Sequence, residues 1–151
     1  MTALVLFGLL FYFITMTQTT VSQSTLQAYT VGEKDTRPWG TWEVLDLGTK
    51  DGPNGIEEFC VKKITVNPGG VLSLQSHQLR REEWTVLEGL LEVTRDKEIL
   101  NLKAGDYVEI PQGAVHRMAN RSDAPAVVKE IQRGVCREDD IERFEDIYGR
   151  S

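Results

Sequence analysis

The spacing of turn signals constrains this chain more than any other feature. From Phe59 to Gln132 the sequence breaks into eight short strand-like runs: 59–66, 71–77, 82–87, 90–95, 99–102, 107–110, 114–119 and 126–132. Most are set apart by turn formers, among them Pro68-Gly69-Gly70, Gly89, Asp96-Lys97, Ala104-Gly105 and Pro111-Gln112-Gly113. Short runs punctuated every eight to twelve residues or so predict an all-β sandwich or barrel. No long helical period interrupts them, which argues against a parallel sheet, whose crossovers need helices. A further strand is expected at 41–47 (TWEVLDL), and 50–55 (KDGPNG) must be a loop.

The two ends differ from this body. Residues 3–14 (ALVLFGLLFYFI) form an apolar run of twelve, short of the roughly 20 that a membrane-spanning helix needs. No Lys or Arg precedes Lys34, so the charged start of a signal peptide is missing. Translation is expected to begin at Met16, a weak membrane anchor being the alternative. Polar residues 16–36 read as a disordered lead-in, leaving 37–151 as one domain. At the other end, Ile141, Phe144 and Ile147/Tyr148 recur at spacings of three and four, predicting a short amphipathic C-terminal helix over 137–148. Glu138–Asp140 would lie near its N-terminus, where the helix dipole favours negative charge.

The net charge of −6 is spread along the chain, which argues against a nucleic-acid partner but leaves room for a small phosphorylated ligand. Cys60 and Cys136 are too few for a disulfide framework and read as reduced thiols of a cytoplasmic protein. Both histidines lie in two chemistry-bearing segments, 68–89 and 105–120. Side chains two apart share a strand face, so Gln75 projects with His77, Glu82 with Trp84, and Leu72 and Leu74 take the opposite face. A hairpin would thus gather an amide, an imidazole and a carboxylate, and His116 follows a turn that can add a second imidazole. Such mixed nitrogen and oxygen donors suit one divalent metal ion, zinc first, with manganese or iron also fitting.

The same residues match the two signature motifs of the cupin superfamily. The second is complete: Gly105, five residues, Pro111, one, Gly113, two, His116, three, Asn120. The first runs Gly69, five residues, Gln75, one, His77, four, Glu82, six, Gly89, with Gln75 where cupins normally carry His. The resemblance implies a double-stranded β-helix (jelly-roll) barrel holding the metal through Gln75, His77, Glu82 and His116. It also implies possible dimerisation through barrel edges. Over 37–150 it narrows: RPWG, LSLQSH, IPQGAVHRMAN, EIQRG and EDDIERFEDIYGR look like the C-terminal cupin domain of type II phosphomannose isomerase/mannose-1-phosphate guanylyltransferase. Nothing here resembles the nucleotide-binding loop of the partner domain, so this chain alone is not expected to make GDP-mannose.

That likeness implies interconversion of hexose phosphates through an enediol, with a metal to polarise the carbonyl, a base tuned towards neutral pH and cations for the phosphate. Arg80, which matches the family's arginine, is a candidate for catalysis and for substrate contact. Arg81 and Arg133 are further substrate-binding candidates, and Lys63 a further catalytic one. The family's histidines at positions 79 and 83 are replaced here by Leu79 and Glu83. No base therefore stands out, and strand alternation turns Glu83 away from Glu82. The alternatives are a non-catalytic cupin that binds a sugar phosphate or a partner and keeps the metal, and a metal-dependent cupin acting on an unrelated small molecule. Trp39, Trp42 and Trp84 read as core, and Asn120 as tightening the turn after the His116 strand.

Overall fold

A computed structural model describes residues 29–150, and the expectations for 1–28 lie outside them. Eleven strands follow: β1 (Lys34–Arg37), β2 (Gly40–Gly52), β3 (Gly55–Val66), β4 (Leu74–Ser76), β5 (Arg80–Glu88), β6 (Leu90–Arg95), β7 (Glu98–Lys103), β8 (Tyr107–Ile110), β9 (His116–Ala119), β10 (Ala126–Gly134) and β11 (Glu142–Glu145). They build a six-stranded sheet, β1-β2-β3-β10-β5-β8, and a five-stranded sheet, β11-β4-β9-β6-β7, with every pairing antiparallel. This is the all-β, two-sheet cupin barrel expected from the sequence. The loop at KDGPNG is tighter than expected: Gly52 pairs with Gly55 across a two-residue turn.

Strand alternation sorts the interior into two halves. Along β5 the inward residues are Arg80, Glu82, Trp84 and Val86; along β10 they are Ala126, Val128, Glu130 and Gln132. The register aligns Val128 with Ile64 and Val86, Glu130 with Lys62 and Trp84, and Gln132 with Cys60 and Glu82. One end of the barrel is therefore aliphatic and the other polar. Val66, Val86, Val93, Ala126 and Val128 are fully buried at the aliphatic end, each valine contributing on the order of 2 kcal/mol through burial. Gly89 marks a close approach, since a Cβ there would sit 2.5 Å from the Pro125 carbonyl oxygen.

Three expectations change. Order begins before Arg37: Tyr29 packs in the core against Trp42, and β1 starts at Lys34. The run 71–77 is not one continuous strand but an isolated bridge at Val71 followed by the three-residue β4. Alternation consequently fails there, and Leu72 lines the same cavity as Ser73 and Gln75.

The C-terminal helix is the third. Only one turn of 3₁₀ helix forms, at Glu138–Asp140, and β11 then pairs with β4. A twelve-residue helix is marginal without a buried face, and here Phe144 and Ile147 remain exposed. The open edge of β4 offers backbone hydrogen bonds instead. The Asp140 carboxylate accepts from the backbone N–H groups of Gln78 and Leu79, both at 3.0 Å. The tail does cover the sheet edge, but as a strand.

Candidate metal centre

β5 and β9 carry Glu82 and His116 inward, and the loop after β4 brings in His77; all three are buried. Their ligating atoms lie within 4.8 Å of one another. His77 Nε2 is 3.1 Å from Glu82 Oε1, and His116 Nε2 is 3.6 Å from Glu82 Oε2. Each imidazole is oriented by a main-chain carbonyl: His77 Nδ1 meets Asp140 O and His116 Nδ1 meets Ala114 O, both at 2.9 Å. Donation at Nδ1 leaves both Nε2 lone pairs facing the carboxylate, an arrangement typical of metal-binding histidines. His116 Nε2 is buried without a hydrogen-bond partner, which leaves that lone pair open to a cation. The donor set fits a divalent ion.

Gln75, the fourth ligand expected from the sequence, stands opposite His116 in the β4–β9 pair. Its Oε1 accepts from Ser73 Oγ at 2.8 Å while Nε2 lies 3.4 Å from His77 Nε2. Half a turn of the carboxamide exchanges the two atoms, aims Oε1 into the cluster and lets Nε2 donate to Ser73.

Arg80 is also inside. Its Nε donates to Glu82 Oε1 at 3.0 Å, Nη1 to Arg137 O at 2.6 Å, and Nη2 approaches His77 Nε2 at 3.2 Å. A bound ion must take the His77 lone pair from Arg80, leaving the guanidinium its other two contacts. Burial opposes ionisation of Glu82, but His77 when its imidazole is protonated on both nitrogens, with Arg80 and His116 adding to it, holds the carboxyl well below the usual range. Burial pushes the His116 imidazole down, and the Glu82 charge pulls against it.

Other sequence candidates point elsewhere. Arg81 faces out and forms a two-pronged ion pair with Glu57, at 2.9 and 3.0 Å. Arg133 pairs with Glu83 on the same outer face. Lys63 is exposed, and the catalytic role expected of it falls away because β3 turns it outward. Its neighbour Lys62 is the inward lysine, buried 3.6 Å from the centre of the Tyr29 ring and 3.5 Å from Glu138 Oε1. Leu79 and Glu83 also lie outside the cavity, Leu79 more than half exposed and Glu83 held by Arg133. The departures at those two positions leave the pocket wall unchanged.

The cavity beside the cluster encloses about 80 Å³, less than the roughly 300 Å³ at the lower end for small-molecule sites. Five cations line it, Arg37, Lys62, Arg80, Arg143 and Arg150, with three carboxylates, Glu82, Glu130 and Glu138. Arg143 Nε is buried without a hydrogen-bond partner. Reading the sequence for conspicuous motifs missed Lys62, Glu130, Gln132 and Arg143. Extending the alternation of Ala126 and Val128 along β10 reaches Glu130 and Gln132 directly.

A family model described as mannose-6-phosphate isomerase, C-terminal, matches residues 24–146. The chain belongs to this family. Among the family's relatives, the xanthan biosynthesis protein XanB of Xanthomonas campestris is 45% identical over 116 residues, which is 76% of this chain and 23% of that protein. The alginate biosynthesis protein AlgA of Pseudomonas syringae is 41% identical over 133 residues, 87% of this chain and 24% of that protein. The chain thus spans about a quarter of the length of these relatives. In fold it resembles the capsular polysaccharide assembling protein CapF of Staphylococcus aureus, with a TM-score of 0.61 at 18% identity, over 76% of this chain and 34% of that one. Family membership makes this a cupin domain of the sugar-phosphate isomerase type, and His77, Glu82 and His116 form one buried cluster in it. Among the described residues no helix is long and apolar enough to cross a membrane.

Proposed function

We propose that this domain binds one divalent metal ion, zinc first, and interconverts mannose 6-phosphate and fructose 6-phosphate in the cytoplasm. One observation carries the reading: two imidazoles, that of His116 with an unpartnered Nε2, and a buried carboxylate converge beside a cation-rich cavity that Glu82 and Gln75 line, in a chain of this family. His77, Glu82 and His116, with Gln75 after its half-turn, would hold the ion. A divalent cation there supplies Lewis-acid polarisation of the sugar carbonyl and the adjacent hydroxyl.

The protein's own groups do the rest. The small cavity admits the reacting end of the sugar and leaves its phosphate at the rim. There Arg143, whose Nε has no partner, offers a charge-assisted hydrogen bond, and Arg150, held through Nε and Nη2 by Asp146, adds positive charge. Arg80, anchored on Glu82 and on the Arg137 carbonyl, turns a positive edge towards charge developing on oxygen. Trp84 donates to Glu82 Oε2 at 3.1 Å and keeps that carboxylate aimed. Trp39, Trp42 and Ile64 supply an apolar wall that limits water in the site.

A coupled assay of fructose 6-phosphate to mannose 6-phosphate conversion, with elemental analysis of the same samples, tests this. Turnover abolished by chelator and by His77→Ala or His116→Ala, and metal content lowered by Gln75→Ala, are the expected results. Metal present at one ion per chain with no turnover on either hexose phosphate would rule out the isomerase and favour a non-catalytic sugar-phosphate-binding domain.

A further inference from the structure

We propose that Glu130 carries the proton between the two reacting carbons, with Gln132 accepting a hydrogen bond from a substrate hydroxyl beside it. This rests on the isomerase reading and supplies the base that the sequence motifs left unassigned.

Position is the first argument. Glu130 and Gln132 are the last two inward residues of β10, where the interior turns from aliphatic to polar, and both line the cavity that Gln75 and Glu82 share. Gln132 is in register with Glu82, and Glu130 is two residues further along, aligned with Trp84. Two strand residues are about 7 Å, enough to seat a pair of bonded carbons between the Glu82 cluster and the Glu130 carboxyl.

Availability is the second. Glu82 is engaged by Arg80, Trp84 and His77, and Glu138 by Lys62 and Tyr29. Glu130 accepts one hydrogen bond, from the neutral Gln132 Nε2 at 2.8 Å, and has no ion pair among the described residues. It makes no hydrogen bond to any of the four ligand candidates. The charged groups around it are Lys62 on β3, and Arg80 and Glu82 on β5. A buried carboxyl so weakly compensated is the one on this wall best able to take up and release a proton. Burial, then the Glu82 charge, push its pKa up to about 7.

Gln132 gives an independent sign of a ligand. The residue is 2% exposed and its Oε1 is buried without a partner. Donation to Glu130 fixes the amide orientation, so the oxygen requires a donor from the cavity, which a sugar hydroxyl supplies.

In the aldose-to-ketose direction the hydrogen on C2 leaves as a proton to the Glu130 carboxylate. Its electron pair becomes the C1–C2 double bond of an enediolate, while the carbonyl pair moves onto O1. The O2 proton passes to O1, O2 becomes the carbonyl oxygen, and the Glu130 carboxyl returns its proton to C1. One hydrogen moves from C2 to C1 and nothing is consumed.

The test uses the full chain as purified, comparing wild type with Glu130→Gln and Glu130→Asp. Readouts are kcat and KM, solvent-deuterium incorporation into mannose 6-phosphate, metal content, and calorimetric binding of that sugar phosphate. Glu130→Gln is expected to lose about 100-fold or more in kcat and in deuterium incorporation, with metal content and affinity within about threefold. Glu130→Asp, which keeps the carboxyl but withdraws it, is expected to lose about tenfold and to retain the pH profile. Should Glu130→Gln fail to fold, an unchanged kcat in folded Glu130→Asp overturns the assignment. An active wild type whose Glu130→Gln variant stays within about threefold overturns Glu130 alone. A metal-loaded wild type with neither turnover nor deuterium incorporation overturns the isomerase and this role together.

Discussion

Replacing Glu130 by Gln should stabilise the protein above neutral pH while removing its activity. Glu130 is 6% exposed, and burial first, then the charge of Glu82, push its carboxyl up to about 7 from the 4.5 of an ordinary glutamate. A raised carboxyl value means that the folded protein binds a proton the unfolded chain has released. The resulting stability is complete below pH 4.5 and is lost as pH rises through 7. A rise from 4.5 to about 7 at about 1.4 kcal/mol per pH unit corresponds to about 3 kcal/mol. Gln keeps the size, its Oε1 still accepts from Gln132 Nε2, and it never ionises. Urea unfolding in chelator, so that no bound cation adds to the field, should show the variant within about 1 kcal/mol of wild type at pH 4.5 and about 3 kcal/mol more stable at pH 8.5. A gain that does not change with pH, or a loss at pH 8.5, refutes the reasoning, because Glu130 would then be ionised at no cost.

Two further outcomes follow from the tail and the histidines. Asp140→Ala removes the carboxylate that accepts from the Gln78 and Leu79 N–H groups in a half-exposed turn; about 2 kcal/mol of stability should go. Because the Asp140 carbonyl orients His77, metal affinity should fall about tenfold by competition with a chromophoric chelator, and unchanged affinity would show that the turn does not position the ligand. His116 is held below 6.5 by burial, so its folded-state value is depressed and its contribution is present above pH 6.5 and lost as pH falls. Glu82, held well below 4.5, adds a second loss beneath pH 4.5. Metal-free His116→Gln should therefore show a flatter stability profile than wild type just below pH 6.5, measured by urea midpoints.

The barrel was legible in the sequence because its turns are chemically punctuated: Leu90–Arg95 and Tyr107–Ile110 form strands with the boundaries expected. The metal cluster was legible from the spacing of its two motifs, although the hairpin expected to gather Gln75, His77 and Glu82 does not form. β4 lies in the five-stranded sheet and β5 in the six-stranded one, and the residues meet across the barrel interior. What failed did so by one residue or by one missing fact. Lys62 and Lys63 are adjacent, so only knowing which β3 residues face inward separates them, and the buried Cys60 and Ile64 on either side of Lys62 give that phase. EIQRG drew attention to Arg133, the charged residue that faces out, rather than to Glu130 and Gln132, which face in. The tail was misread because spacings of three and four describe a helix only if their stripe is buried. Nothing local records that β4 has a free edge some 65 residues earlier.

The division of the interior bears on how such a domain can diversify. Its cohesion comes from the ranks of Val66, Val86, Val93 and Val128, whereas Lys62, Glu82 and Glu130 at the other end carry charge that burial makes costly. Neutralising Glu130, which has no ion pair among the described residues, alters chemistry and can even increase cohesion, whereas removing Glu82 or Lys62 strands the charge of Arg80 or Glu138. Replacement of Glu130 is therefore accessible alone, while the paired charges must change together. A barrel of this kind can try new substrates, or give up catalysis and keep binding, while it continues to fold.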